Sequence, residues 1–399
     1  MTVRSTMNAE KHHNIVLYSI IFFMIICPTE LIFKSEQYYY IVCFILLAGA
    51  KLKNGFELKR DYSWAILLYA IYSAFTLFWS NLPGATGMLL VKTVATAVLF
   101  LQIQNEYGPD AKEIIKNTIV IQYIFVLLIC LRYQYTAWDG RLWIVNGSLK
   151  VDGNSISSWL ILPCCLFIER TMDKKQTMVR KTGYILLLVS LFYLAYWTGS
   201  RAGIIAVAIA AGLSLIYAYR DSLRKNTGLS AVILLISAAI VFIGIRMIPG
   251  SVIARFNYVN SAELGGRTQI WRIMFNDLIQ NPAALIFGFG EGTTISNTGT
   301  IAHSLYIEAL YNQGIIGITL ILYFMVRAFI NAARQNPYFA IAMIGISVMS
   351  ASLSEFASRP VMIAFFLCAM NTGRNEGEEM TEITEYEQTT CFGDHAGIQ

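Results

Sequence analysis

Long runs without a single charged residue decide which solvent this chain folds in. NIVLYSIIFFMIIC at 14–27 and AVILLISAAIVFIGI at 231–245 are two of them. A helix of about 20 mostly apolar residues crosses a bilayer. A single water-soluble core could not bury so many such segments. Only 14% of the 399 residues are charged, against about 25% in an average soluble domain. The expectation is therefore an all-α polytopic membrane protein.

Twelve apolar spans can be read, roughly at 14–33, 38–50, 63–79, 87–104, 114–131, 156–168, 183–199, 202–219, 229–249, 304–326, 338–353 and 360–372. No small-residue cleavage site follows the first run, so that span is expected to be retained. Lys and Arg accumulate on the cytoplasmic side of membrane proteins. With the N-terminus inside, 19 of the 30 basic residues fall in inside segments. The alternation gives an N-in, C-in topology. Residues 1–372 form the membrane domain, and the acidic, Thr-rich stretch 373–399 reads as a disordered cytoplasmic tail.

The net charge of +5 could serve nucleic acid or anionic lipid. Where the charges sit counts for more than their sum, and no nucleic-acid partner is expected. Seven cysteines lie mostly in apolar spans, none at zinc-ligand spacing, and read as small core hydrophobes. No metal site or cofactor is expected. Two outside loops are long enough to fold. One runs from Arg132 to Ser155 and carries Trp138 and Trp143; the other covers about 250–302.

If positive charge belongs inside, a positive charge outside needs a reason. Arg201, in WTGSRAGIIA, follows the short turn Thr198-Gly199-Ser200 and opens the next helix at the outer surface. A helix N-terminus with a guanidinium suits a phosphate; snorkelling to headgroups is the structural alternative. Arg267 opens GGRTQIWRIMFNDLIQNP, where Ile270, Trp271, Met274 and Leu278 recur at helical spacing. This reads as an amphipathic helix on the outer surface, ended by Asn281-Pro282. Arg267 lies one turn before Trp271; Arg272 lies off the apolar stripe and is the weaker candidate. Either could instead be a solvated surface charge. His303, in TIAHSLYIEALYNQGIIG, is the one histidine outside the N-terminus and tail. An imidazole can take or give a proton there, or it can be structural.

Gly288-Phe289-Gly290-Glu291-Gly292 lacks the strand before it and the Gly-Lys-Ser/Thr ending of a phosphate loop, so a flexible turn is the expectation. Lys92 and Glu308 are ionisable residues within spans and stand as secondary candidates. Glu308 is about 140° round the helix from His303, so the two share no face.

These residues resemble the family of O-antigen ligases and O-antigen polymerases, over roughly residues 190–330. One signature, Arg then three residues then Leu, reads Arg201-Ala-Gly-Ile-Ile205 here, with Ile in place of Leu. The other begins with His then Asn, Ser or Gln. Here it reads His303-Ser304, nine residues, then Gly314-Ile315-Ile316-Gly317. Between them the family has an arginine on a short helix in the large outside loop, and Arg267 fills that place. The resemblance implies an all-helical membrane glycosyltransferase of the GT-C type, inverting and metal-independent. Its donor would be a glycan on undecaprenyl diphosphate, and its acceptor a glycan or lipid hydroxyl. Arg201 and Arg267 would bind the diphosphate, and His303 would act as base toward the acceptor hydroxyl, the favoured role, or orient the diphosphate. Arg272, Ser304, Gly314 and Gly317 would line the substrate site.

Polymerase and ligase share this pattern because both hold the same donor. No basic outside patch suits a heavily phosphorylated lipid A–core, which favours a polymerase over a ligase. A transporter or flippase would place its ionisable residues near the bilayer midplane; Lys92 is the one feature that would suit it.

Overall fold

In the computed structural model the described residues are 63–81, 111–136, 141–146, 149–225, 267–299 and 301–353. The expected spans at 14–33, 38–50, 87–104, 229–249 and 360–372, together with Lys92 and the tail, lie outside them.

The described helices run in chain order as follows. α1 is Ser63–Phe75, extended by a 3-10 turn at Thr76–Phe78, and α2 is Ala111–Tyr133. α3 (Gly153–Ser158) leads into α4 (Ile161–Met172), α5 (Met178–Trp197) and α6 (Arg201–Lys225). Then come α7 (Arg267–Gln280), the short α8 (Pro282–Phe287) and α9 (Thr293–Thr298), and finally α10 (Leu305–Gln335) and α11 (Pro337–Ser350). Each of the seven apolar stretches expected within the described residues is helical. Among the described residues four helices are long and apolar enough to cross a membrane: Lys116–Tyr133, Met178–Trp197, Arg201–Arg220 and Leu305–Gln335. Leu186, Val189 and Tyr193 on α5 are 60–64% exposed. An open apolar face of that kind needs lipid as solvent, so the chain is a membrane protein.

α4 is only 12 residues long, yet Ile161 to Ile168 are all buried. It packs against α5, α6 and α11 and contacts α2, which makes it the centre of the core. Asn336 starts α11 by accepting from the backbone N–H of Tyr338, with Pro337 at the first helical position.

The described residues are mostly helical rather than all-α. The loop after α2 folds into a three-stranded antiparallel sheet, ordered β1 (Gln134–Thr136), β2 (Leu142–Asn146), β3 (Leu149–Val151). Tyr135 pairs with Trp143, and Val145 with Lys150. Leu142 and Ile144 are buried while Trp143 and Val145 are half-exposed. This period of two lays one face of the sheet on the core.

The helices share two ends. Lys116, early in α2, bonds Glu169, late in α4, at 2.5 Å. Asn336, between α10 and α11, donates to the same carboxylate at 3.1 Å, and Arg170 meets Glu113 at 2.6 Å. From Lys116 to Tyr133 the chain rises about 26 Å. The sheet, the turn before Arg201 and the start of α10 therefore lie at the opposite end.

Candidate active site

Arg201 is the first residue of α6. Gly199 makes the turn before it with φ +60°, and the Ser200 hydroxyl accepts from the backbone N–H of Gly203 at 3.0 Å. That is an N-cap, and it leaves the guanidinium at a helix N-terminus where an anion is favoured.

The sheet braces this turn. Asp152 caps α3 by accepting from the backbone N–H of Ser155 at 2.8 Å, and from the Asn154 amide at 3.3 Å. Asn154 in turn accepts from the Ser200 hydroxyl at 2.7 Å. A Cβ on Gly153 would stand 2.3 Å from the Thr198 carbonyl oxygen, so only glycine lets α3 approach so closely. On the other side of the turn lies Arg141, whose Cγ sits 2.9 Å from where a Cβ on Gly199 would be.

α7 supplies the second arginine. Met274 and Leu278 bury its apolar stripe, with Ile270 packed beside them. The Trp271 indole donates to the Ala302 carbonyl at 2.7 Å, which ties the first turn of α7, and hence Arg267, to the residue before His303. Tyr311 on α10 donates to Asp277 of α7 at 2.9 Å and accepts from Asn297 of α9 at 3.0 Å. His303 is the one described non-glycine residue with positive φ, at 54°. Backbone held in that region is strained and needs its surroundings to hold it.

Electrostatics brings the two halves together. Burial holds the Arg267 guanidinium below its ordinary pKa; the charges of Arg201 and Arg141 push the same way, and Asp152 opposes them. Burial also lowers the His303 imidazole, helped by the Arg267 charge and opposed by Asp152. Arg201, Arg267 and His303 therefore act within one neighbourhood, with Arg141 and Asp152 beside them. His303 is held toward its neutral form, which can accept a proton. Among the described residues no group of His, Cys, Asp and Glu could hold a metal.

The remaining expected residues have other places. Arg272 is exposed, off the stripe that carries Met274 and Leu278. Ser304 is buried at the start of α10, and its carbonyl accepts from the Glu308 N–H at 2.9 Å. Gly314 breaks α10 with φ +66°. A Cβ there would stand 2.3 Å from the Ile286 carbonyl oxygen. Into the break come residues 286–292: Phe289 and Gly290 donate their N–H groups to the Tyr311 and Asn312 carbonyls at 2.9 Å each. The Asn312 side chain accepts from Thr294, and Gln313 donates to Tyr69, Ser73 and Glu291. The glycine-rich segment 288–292 is thus a packed strap rather than a flexible turn, and the Gln313 side chain lies against Gly317. Glu308 acts electrostatically on Tyr69 of α1, away from His303.

Arg141 and Asp152 escaped the sequence reading. Arg141 carried a usable signal, because it too is a positive charge in a loop expected outside. Asp152 carried only a helix-cap signal, in Val151-Asp152-Gly153-Asn154-Ser155.

The fold and site define a class, a membrane protein with a basic site and a neutral imidazole at one end of its helices. Comparison with known proteins narrows it. The model of the Wzy_C family, described as O-antigen ligase, matches residues 186–322. That stretch runs from within α5 to within α10 and contains Arg201, Arg267 and His303. The chain is 23% identical over 299 residues to the exopolysaccharide production protein ExoQ of Rhizobium meliloti (strain 1021). That similarity covers 69% of this chain and 66% of the relative, just short of two thirds. Together these matches support the resemblance to the O-antigen ligase and polymerase family. A solved chain from "Structural coordination of polymerization and crosslinking by a peptidoglycan synthase complex" covers 78% of this chain and 98% of its own. Its TM-score is 0.43 at 13% identity, too low to speak for a shared fold.

Proposed function

We propose that this protein transfers a glycan from undecaprenyl diphosphate to an acceptor hydroxyl at the outer face of the cytoplasmic membrane, and that it polymerises the repeat units of a surface polysaccharide. The observation that carries this reading is the convergence of Arg201, Arg267 and His303 at one end of the helices. Support also comes from the O-antigen ligase match and from a relative named for exopolysaccharide production. The twelve-span, N-in and C-in, GT-C-type arrangement is part of the proposal. In its favour, Glu113, Lys116, Glu169 and Arg170 gather at the end opposite the site.

In this mechanism Arg201 and Arg267 hold the donor diphosphate bidentately. The acceptor oxygen attacks the anomeric carbon, and the bond from that carbon to the phosphate oxygen breaks. The electron pair leaves on the diphosphate, where the guanidinium groups offset the growing charge. His303 takes the acceptor's proton. A single displacement of this kind inverts the anomeric centre, and it draws its charge offset from arginines rather than a metal.

The second reading is a ligase that moves a finished chain to lipid A–core or a protein; the description of the matching family favours it. A gel of surface polysaccharide from cells with and without the gene decides between the two. Collapse of the length ladder to single units means polymerase. A full ladder still on its lipid carrier means ligase. No change in ladder or attachment removes both and returns the transporter reading.

A further inference from the structure

The helix that carries Arg201 is capped by Ser200, and the direction of that cap is decided outside α6. A hydroxyl has one proton and two lone pairs. The Ser200 proton goes to Oδ1 of Asn154 at 2.7 Å. A Ser200 lone pair is thereby turned toward the Gly203 N–H at 3.0 Å. Asn154 is itself oriented, because its Nδ2 donates to Oδ2 of Asp152 at 3.3 Å. That turns its Oδ1 to Ser200. The other Asp152 oxygen accepts from the Ser155 N–H at 2.8 Å. The cap of α3 and the cap of α6 therefore form one directional chain of hydrogen bonds.

The fit around this chain is close. The Ser157 and Thr198 hydroxyls stand 2.8 Å apart, and Thr198 accepts from the Ser200 N–H at 3.3 Å. A Cβ on Gly203 would lie 2.2 Å from the Ser157 Cβ. Ser157, Thr198 and Ser200 are buried, where a hydroxyl that lost its partner would be costly. The Ser200 carbonyl also accepts from the Ile204 N–H at 2.9 Å, which starts α6. Arg201 is the next residue, so a shift of Ser200 shifts the root of the guanidinium. Asn154 precedes the stretch that matches the O-antigen ligase model, which begins at residue 186.

We propose that Asn154 is a positioning residue for Arg201: it sets the direction of the Ser200 cap and so holds the guanidinium where the leaving diphosphate gathers charge. This rests on the donor reading given above. A misplacement of about 1 Å can cost about 100-fold in rate. The effect belongs to turnover rather than to donor affinity, because a slightly displaced charge still attracts the bound diphosphate but meets its developing charge poorly.

The test measures transfer by purified full-length protein supplied with lipid-linked glycan and membranes from cells lacking the gene. Thermal melting sets equal amounts of folded protein. Asn154→Ala should lower kcat about 10-fold, with the donor KM within about 2-fold of the parent. Ser200→Ala removes the same cap from the other side and should reproduce the loss, which keeps the test open if Asn154→Ala does not fold. The double variant should lose no more than the larger single loss, as expected of one chain of bonds. In the Arg201→Lys background Asn154→Ala should cost about 3-fold or less, since an ammonium is a point charge with little demand on direction. An unchanged kcat in Asn154→Ala and Ser200→Ala, or an equal loss in the parent and the Arg201→Lys background, overturns the positioning role and leaves the donor reading standing. Full activity in Arg201→Ala removes both.

Discussion

Lys116 meets Glu169 at 2.5 Å, Arg170 meets Glu113 at 2.6 Å, and Asn336 donates to the same Glu169 oxygen as Lys116 at 3.1 Å. At this end of the helices Lys116 and Arg170 each meet an acid. At the other end Arg201 and Arg141 act on Arg267, and Asp152 is the acid that opposes them. Both ends bring charged side chains to partly buried places, and they do so for different reasons. The balanced end ties together the start of α2, the end of α4 and the α10–α11 corner, which makes it part of the fold. At the other end burial, together with neighbouring arginine charges, leaves the Arg267 guanidinium and the His303 imidazole biased against carrying charge. That cost is sensible where an anion is to bind.

The comparison breaks most directly at Arg201. Arg201→Ala should cut glycan transfer by about 100-fold or more, the usual scale for removing one group that stabilises developing charge. The protein should still insert and melt normally. Arg201→Lys should fall in between, since an ammonium cannot hold two phosphate oxygens as a guanidinium does. Transfer measured in membranes at matched protein levels checks this. Full activity in Arg201→Ala would place the diphosphate elsewhere.

The balanced end should answer in stability. Lys116 is buried, and its removal strands Glu169. Lys116→Ala should cost about 3 kcal/mol, read as a lower melting temperature, with transfer per folded molecule unchanged. Replacing Lys116 and Glu169 together by Met and Leu should cost less than the single change, because no lone charge is left behind. If Lys116→Ala instead reduced transfer at constant stability, the division between a structural end and a functional end would not hold.

Gly314→Ala tests a third kind of place. Its φ of +66° opposes a side chain, and so does the Ile286 carbonyl oxygen, which would lie 2.3 Å from the added methyl carbon. Left-handed strain alone costs about 1–3 kcal/mol. The strap at 286–292 would have to withdraw from the break in α10. Lower protein abundance is expected, with transfer falling in proportion to it.

These three places were unequally legible from sequence. Helical spans were readable because apolar length and charge placement are local properties. Arg201, Arg267 and His303 stood out because each broke a pattern, and a signature of fixed spacing tied His303 to Gly314 and Gly317. The strap was not readable. Its hydrogen bonds join Phe289 and Gly290 to Tyr311 and Asn312, a pairing of backbone groups with no period of its own, and the glycines looked like a flexible turn. The sheet was missed because Leu142 to Val145 is a short, uniformly apolar run flanked by loop residues, without the alternation in sequence that marks a half-buried strand. Arg141 was overlooked along with it, though the rule that picked out Arg201 applied equally to it.

The smallest expected effect concerns the pH dependence of transfer. Burial and the Arg267 charge lower the His303 imidazole from its ordinary value, so the neutral base persists to lower pH than a free histidine allows. The acid limb of kcat/KM for the donor should therefore lie below the usual imidazole range. Asp152 favours the imidazolium, so Asp152→Asn should move that limb further down, and at acidic pH the variant should retain more of its maximal rate than the parent. His303→Gln should remove the limb together with most of the activity. A limb that stayed in place in Asp152→Asn would mean that the carboxylate at the head of α3 does not feel the base, and the two halves of the site would then have to work independently.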